Sequence, residues 1–249
     1  MVALPRFDVT HSVRFWQRHV TACVLACPYV LLDLLFPRKC VVCSVPGATL
    51  CPACAGALPR LAAPLCHRCG APTAWPVRRC RECAGRRIAF ASARAAVEYE
   101  VGVRTIVSAW KERGLRDVGT LAAELIVEAV PPGAGRVVTF VPPDGDRSLK
   151  RGHHPPARLA RELGRRWELP VGPTLERTRP LRPQRGLGRD ERRRNVRGAF
   201  RATAPVVGPV VLVDDVYTTG ATVSAAASAL RRAGASSVDV VTFARAVRR

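Results

Sequence analysis

Lysine is nearly missing from this sequence. Of 40 basic residues only three are lysines, Lys39, Lys111 and Lys150, and acidic residues number only 19. Arginine over lysine fits a GC-rich coding sequence, but that bias does not explain the net charge of +21. A chain this basic expects polyanionic partners: nucleic acid, phosphorylated metabolites or acidic lipid. A membrane-length apolar run is also missing. The stretch from Val20 to Pro37 is interrupted by Pro28 and Asp33, and falls short of the ~20 apolar residues that cross a bilayer. It reads as one or two amphipathic helical turns, so no stable membrane insertion is expected. No clean apolar run near a cleavage site marks the start as a signal peptide, which points to the cytoplasm. No Gly-x-x-x-x-Gly-Lys occurs, which excludes a P-loop nucleotidase. The run "GLGRDE" lacks the last glycine of a dinucleotide fingerprint and follows no strand. No internal repeat stands out.

What is present begins with cysteine. Eight of ten cysteines fall within one segment as four Cys-x-x-Cys pairs: Cys40 and Cys43, Cys51 and Cys54, Cys66 and Cys69, Cys80 and Cys83. Such a turn presents two thiolates to one zinc ion, and two turns complete a tetrahedron. Disulfides would suit a secreted protein, and nothing here indicates export. The eight ligands therefore suggest two structural zinc ions, with every coordination position filled by sulfur. The zinc would stabilise a segment too small for a core of its own. Sequential pairing is favoured, with an interleaved arrangement left open by the short spacers. Gly70, directly after Cys69, suits the tight turn behind a ligand. Cys23 and Cys27 read as buried small apolar residues.

After the cysteines the chain alternates strand and helix. Ala93–Glu100 reads as a strand, and "GVRTIVSAWKERG" and "DVGTLAAELIVEAVPPG" as helices stopped by Gly or Pro. "RVVTFVPP" is a strand, and "PPARLARELGRRWE" a helix that starts on prolines. "PVVLVDD" is a continuous apolar run, as in a parallel strand covered on both faces. "TVSAAASALRRAGA" has an apolar face at helical spacing, and "SVDVVTFA" is a last strand. This order gives an α/β fold with a mainly parallel, Rossmann-like sheet. The expected organisation is an N-terminal helical segment over 1–39, a double zinc ribbon over 40–85 and the α/β domain over 86–249. Between Arg177 and Arg201 lie ten arginines, two prolines and three glycines with no clean period. That stretch reads as a long loop, a flexible hood over about 177–197.

Two adjacent aspartates, Asp214 and Asp215, end the apolar strand and are followed by Thr218-Thr219-Gly220-Ala221-Thr222. Ligands of open α/β sheets bind beyond the carboxyl ends of strands. A helix start with glycine and hydroxyls is a ready phosphate site. The carboxylates beside it would take sugar hydroxyls or magnesium, so a sugar phosphate with vicinal hydroxyls fits the pattern.

"VVLVDDVYTTGAT" closely resembles the phosphoribosyl pyrophosphate (PRPP) signature of type I phosphoribosyltransferases, with Tyr217 in place of the usual aliphatic residue. The wider pattern resembles the ComF family, named for a role in bacterial DNA uptake. It runs from "LLDLLFPRKC" through the cysteine pairs, Lys111 in "AWKERG", Arg151-Gly152, and Gln184, Arg192 and Asn195 in "PQRGLGRDERRRNVRGAF". The resemblance implies that Asp214 and Asp215 hold the ribose hydroxyls, directly or through magnesium, and serve as the catalytic pair. Thr218 to Thr222 would wrap the 5′-phosphate, and Val141 to Arg147 would form the pyrophosphate loop. Lys111, Arg151, Arg177, Gln184, Arg192 and Asn195 are the implied pyrophosphate and hood contacts. His153 and His154 replace the family's aromatic and amide. The implied activity is displacement of pyrophosphate from PRPP by an acceptor, a glycosyltransferase reaction. The alternatives are a non-catalytic PRPP-binding protein, or a DNA-uptake adaptor that contacts single-stranded DNA or a competence helicase.

Overall fold

The computed structural model describes residues 38–115, 117–132, 135–143, 153–181 and 188–247. The expected N-terminal segment over 1–37, with Cys23 and Cys27, lies outside the described residues. So do Arg151, Gln184 and the 144–147 part of the expected pyrophosphate loop. Two compact units divide between Cys51 and Pro52. The first contributes the turn at Cys40, where Lys39 bridges Pro46 antiparallel. The second carries α1 (Pro52–Gly56), the remaining cysteine turns and the α/β domain.

In the α/β domain, β1 (Ser92–Glu98), β2 (Val137–Phe140), β5 (Gly208–Tyr217) and β6 (Ala235–Arg245) form one sheet in the order β1-β6-β5-β2, with every pairing parallel. The mainly parallel sheet expected from the apolar runs is therefore the architecture of the chain. β5 is interior, which explains why Val210 to Val213 are all buried.

Between β1 and β2 run α2 (Val101–Arg113) and α3 (Asp117–Ala129), and between β5 and β6 runs α6 (Ala221–Arg232). α2 stops where Gly114 takes φ 64°, a left-handed C-terminal position that favours glycine. α4 (Pro155–Trp167) starts on two prolines and buries Leu159, Leu163 and Trp167. α3 and α4 pack on each other and on the sheet. α6 lays Val223, Ala226, Ala227 and Leu230 against Val210, Leu212, Val238 and Val240. Strand residues alternate faces, so Val211 and Val213 point the other way.

Two short strands, β3 (Leu175–Arg177) and β4 (Phe200–Ala202), pair antiparallel and bracket the arginine-rich stretch. The reading of that stretch as loop throughout is corrected by α5 (Arg189–Val196). The helix has no apolar period to announce it. Its start is fixed instead by the Glu191 carboxylate, which accepts from Gly188 N–H over 2.7 Å. Its end is fixed by Val196, buried in the main core.

Candidate functional site

Asp214 and Asp215 stand near the carboxyl end of β5, beside the last paired residues of β2. Two adjacent carboxylates repel, and the structure supplies their partner. Lys111 Nζ from α2 lies 2.7 Å from Asp215 Oδ2. Burial alone would lower the Lys111 pKa, but the Asp215 charge, aided by Asp214, more than offsets this and holds it above its ordinary value. Asp214 Oδ1 accepts from Asp215 N–H over 2.9 Å. Burial, and then the Asp215 charge, push Asp214 up to about 7, against the opposing pull of Lys111. Lys111 is thus the dyad's cationic partner.

Beyond β5 the chain turns through Thr218, Thr219 and Gly220 into α6. Gly220 sits at the helix N-cap with φ 71°. A Cβ there would collide with the Tyr217 hydroxyl, so both conformation and space require glycine. Tyr217, which departs from the signature's aliphatic pattern, is buried edge-on against Phe90, with ring centroids 6.2 Å apart. Thr219 Oγ1 accepts from Ala221 N–H over 3.3 Å and satisfies one amide of the helix start. Arg192, on α5, donates from Nη1 to Thr218 Oγ1 over 3.3 Å, and its buried Nε–H has no hydrogen-bond partner among the described residues.

Arg177 reaches the other flank. Its Nε–H donates to Pro142 O over 3.0 Å, and its guanidinium lies 5.2 Å from the Phe200 ring centre. Asn195 is placed by its backbone carbonyl, which accepts from Arg179 over 2.8 Å. Lys111, Arg177 and Arg192 thus converge on β5 and its turn, while Arg151 and Gln184 lie outside the described residues. His153 Nε2 is 2.7 Å from Trp110 O. Burial pulls His154 down to about 4, with Arg177 adding to it and Asp215 opposing. It is neutral near pH 7.

The cysteines fall into two groups, Cys40, Cys43, Cys51 and Cys54, and Cys66, Cys69, Cys80 and Cys83. Within each, all four sulfurs lie within 4.8 Å of one another. None is in a disulfide. Sulfur separations include 3.6 Å for Cys43–Cys51, 3.7 Å for Cys66–Cys83 and 3.4 Å for Cys69–Cys80. A tetrahedron with Zn–S bonds of about 2.3 Å has sulfurs about 3.8 Å apart. Each group fits one zinc ion, and the pairing is sequential. Burial raises the Cys66 pKa, but amides of Cys69, Cys80 and Arg68 outweigh it and bring the thiol to about 7.

Two residues that sequence reading missed join the second cysteine group to the signature turn. Arg86, three residues past Cys83, donates from Nη2 to Thr219 O over 2.6 Å. Arg245, at the end of β6, is buried. It donates to Cys69 O over 2.7 Å and to Glu82 Oε2 over 2.8 Å, and stands 4.5 Å over the Tyr217 ring. These contacts span 133 and 176 positions of sequence, so no local pattern could announce them.

Zinc ribbon and parallel sheet together define the class: a double zinc ribbon joined to a type I phosphoribosyltransferase fold. Residues 31–84 match the double zinc ribbon domain. Over 224 residues, 83% of this chain and 96% of the relative, the sequence is 31% identical to the DNA utilization protein YhgH of Salmonella typhi. Over 105 residues, 40% of this chain and 46% of the relative, it is 34% identical to competence protein F of Haemophilus influenzae. The chain belongs to the ComF family. A solved orotate phosphoribosyltransferase from Aeropyrum pernix overlaps 59% of this chain and 67% of its own, at 24% identity and a TM-score of 0.33. The fold assignment rests on the chain's own sheet order, helices and signature. Among the described residues no helix is long and apolar enough to cross a membrane.

Proposed function

We propose that the chain binds PRPP with magnesium at the carboxyl end of β5 and transfers the phosphoribosyl group to an acceptor. The observation that carries this reading is the Asp214–Asp215 pair, with Lys111 2.7 Å from Asp215, adjoining a glycine-capped helix start. The amides and hydroxyls from Thr218 to Thr222 suit the 5′-phosphate. The carboxylates suit the ribose 2′ and 3′ hydroxyls. Arg177, and the unpartnered Nε–H of Arg192, suit the pyrophosphate, whose oxygens match guanidinium geometry. Bound magnesium would neutralise charge on the departing pyrophosphate. As that group leaves the anomeric carbon, positive charge would grow on the ribose ring, and the dyad would stabilise it. Closure of the arginine-rich hood would keep water from that carbon. Lys111 would give up part of its hold on Asp215 to the incoming cation.

The names of the relatives favour a second role in the handling of DNA. Thiolate ligation of zinc suits a reducing compartment, the cytoplasm. The test is a thermal shift with magnesium-PRPP, followed by pyrophosphate release with nucleobases, amines and single-stranded DNA as acceptors. A hundredfold excess over Kd should stabilise the fold by about 2.7 kcal/mol, and Asp215→Asn should abolish the gain. Binding should strengthen as pH rises through about 7, where the Asp214 carboxyl loses its proton. Equal shifts in wild type and Asp215→Asn would remove the carboxylate from the site. Binding without pyrophosphate release would leave a PRPP-binding protein that is not an enzyme.

A further inference from the structure

The carboxyl ends of β2 and β5 stand side by side, and an imidazole lies against them. Phe140, the last residue of β2, pairs with Val213, the residue before Asp214. His154 packs on Phe140, with ring centroids 5.6 Å apart and an interplanar angle of 58°. The charged and titratable groups acting on it are Asp215 on β5, Arg177 on β3, Arg161 on α4 and the neighbouring His153. Arg177 is assigned to the pyrophosphate in the PRPP reading, so His154 stands on the pyrophosphate side of the dyad.

The start of α4 gives a reason for a side chain there. A helix start usually offers its first free amides to an anion. Here Pro155 and Pro156 occupy the first two helical positions, and proline has no N–H. Two donors that could meet a phosphate oxygen are therefore missing. His154 is the N-cap residue, yet its side chain caps no amide of the helix. The imidazole is left available at the end where the amides are lacking. The segment is anchored beside it, with His153 Nε2 2.7 Å from Trp110 O.

We infer that His154 is the proton donor to the departing pyrophosphate. The inference rests on the PRPP reading of this site. Burial holds the free ring down to about 4, Asp215 opposes this, and Arg177, Arg161 and His153 add to it. A pyrophosphate group beside the ring brings several negative charges and engages Arg177. Both effects favour the charged ring, which takes a proton from solvent. As the bond from the anomeric carbon to the linking oxygen breaks, the electron pair stays on that oxygen and the imidazolium proton follows it. The acceptor forms the new bond to carbon and gives its own proton to water. His154 is then neutral again, and no oxidant or reductant is needed. A side-chain amide in this place could donate a hydrogen bond but could not surrender its proton.

The experiment follows the histidines of the full-length, zinc-loaded chain by NMR across pH, alone, with magnesium pyrophosphate and with magnesium-PRPP. The His154 signal is the one of five that His154→Asn removes. Asparagine is a favoured N-cap residue, so the thermal midpoint should hold, and His154→Gln serves as a second variant. The His154 value should rise from about 4 to above about 6 with either ligand. Calorimetry at about pH 5.5, in two buffers of different ionisation enthalpy, should show wild type taking up about 0.7 proton more than His154→Asn on binding. The difference cancels protons moved by Asp214 and by the ligand. Pyrophosphate release from magnesium-PRPP, with water as acceptor, should fall at least tenfold in the variant while Kd stays within about threefold. Wild-type release should decline as pH rises through the raised His154 value, because the donor form is lost, and the variant should show no such decline. Binding should strengthen over that range as Asp214 loses its proton, so binding and release move in opposite senses. A His154 value that stays near 4 under saturating ligand would overturn the inference, as would equal proton uptake in the two proteins. A raised value with unchanged release in the variant would make His154 a binding contact only, and would overturn it too. If magnesium-PRPP still shifts the thermal midpoint of wild type, these failures fall on His154 alone. No shift in wild type would remove the PRPP reading and this inference with it.

Discussion

At Cys40 the backbone turns so that Cys40 N–H donates to Val45 O over 2.8 Å and Ser44 N–H to Cys40 O over 2.8 Å. At Cys66 the same two bonds recur, Cys66 N–H to Ala71 O over 2.7 Å and Gly70 N–H to Cys66 O over 2.9 Å. The fifth residue of each turn is left-handed, Ser44 at φ 64° and Gly70 at φ 68°. Local geometry is thus repeated, but surroundings are not. Cys43 and Ser44 are exposed. Cys66, Cys69 and Cys83 belong to the main core, and a Cβ on Gly70 would collide with the Ala93 carbonyl of β1. Arg86 and Arg245 then join this second group to Thr219 and Tyr217. One motif, used twice, closes a surface turn in the first case and packs into the core beside the signature turn in the second.

Breaking the ligands should separate the two most sharply. Cys66→Ser is expected to lose one zinc and cost the large unit more than about 4 kcal/mol, because metal binding there is folding energy. Cys43→Ser should also lose one zinc, yet leave the main unfolding transition within about 1 kcal/mol. Elemental analysis with calorimetry checks both. Equal destabilisation would mean that burial does not distinguish the groups.

Next come the left-handed turn residues. Gly70→Ser meets both the left-handed penalty, about 1 kcal/mol, and an overlap with the β1 backbone, so roughly 2–4 kcal/mol is expected. Ser44→Gly, on an exposed turn, should fall within about 0.5 kcal/mol of wild type. Urea unfolding of the two variants reads the contrast directly.

Arg86→Ala tests the link itself. It removes one charge-assisted bond to Thr219 O at 2.6 Å, worth about 1.5–3 kcal/mol. Zinc content should not change. Affinity for magnesium-PRPP should fall about tenfold as the turn loosens. The position three past Cys54 in the first half is Ala57, so no equivalent link exists there.

The cysteine pairs, the apolar strands and the aspartate dyad were legible in the sequence because each is a local pattern: a three-residue spacing, an unbroken apolar run, a charge pair at a strand end. Gly220 was legible as the turn glycine before a helix start, although its second reason, the Tyr217 hydroxyl beneath it, was not. α5 escaped because its helix rests on a glycine–glutamate cap and a single buried valine rather than on a 3.6-residue period. Lys111 and Asp215 were each picked out, but their pairing across 104 positions was not. The contacts of Arg86 and Arg245 are products of folding at long range. A charge count reports that positive residues are in excess and says nothing of which face collects them.

If the second cysteine group supports the signature turn, then ligand and metal must each stabilise the other, because coupling between two sites is reciprocal. Magnesium-PRPP should slow the release of one zinc of two to a chromogenic chelator, by about three- to tenfold, and leave the other untouched. The protected ion should be the one that Cys66→Ser loses. Through the bond from Arg86 to Thr219 O and the stacking of Arg245 on Tyr217, a turn ordered around phosphate holds Cys69, Glu82 and the chain past Cys83 in place. Arg86→Ala should therefore reduce the protection while the ion is still bound at the start. Equal release of both ions with and without ligand, in a protein that still shows a thermal shift with magnesium-PRPP, would reduce the contacts of Arg86 and Arg245 to packing without linkage. Protection of both ions alike would instead mean that the exposed turn at Cys40 senses the ligand, and the contrast between the two groups would fail.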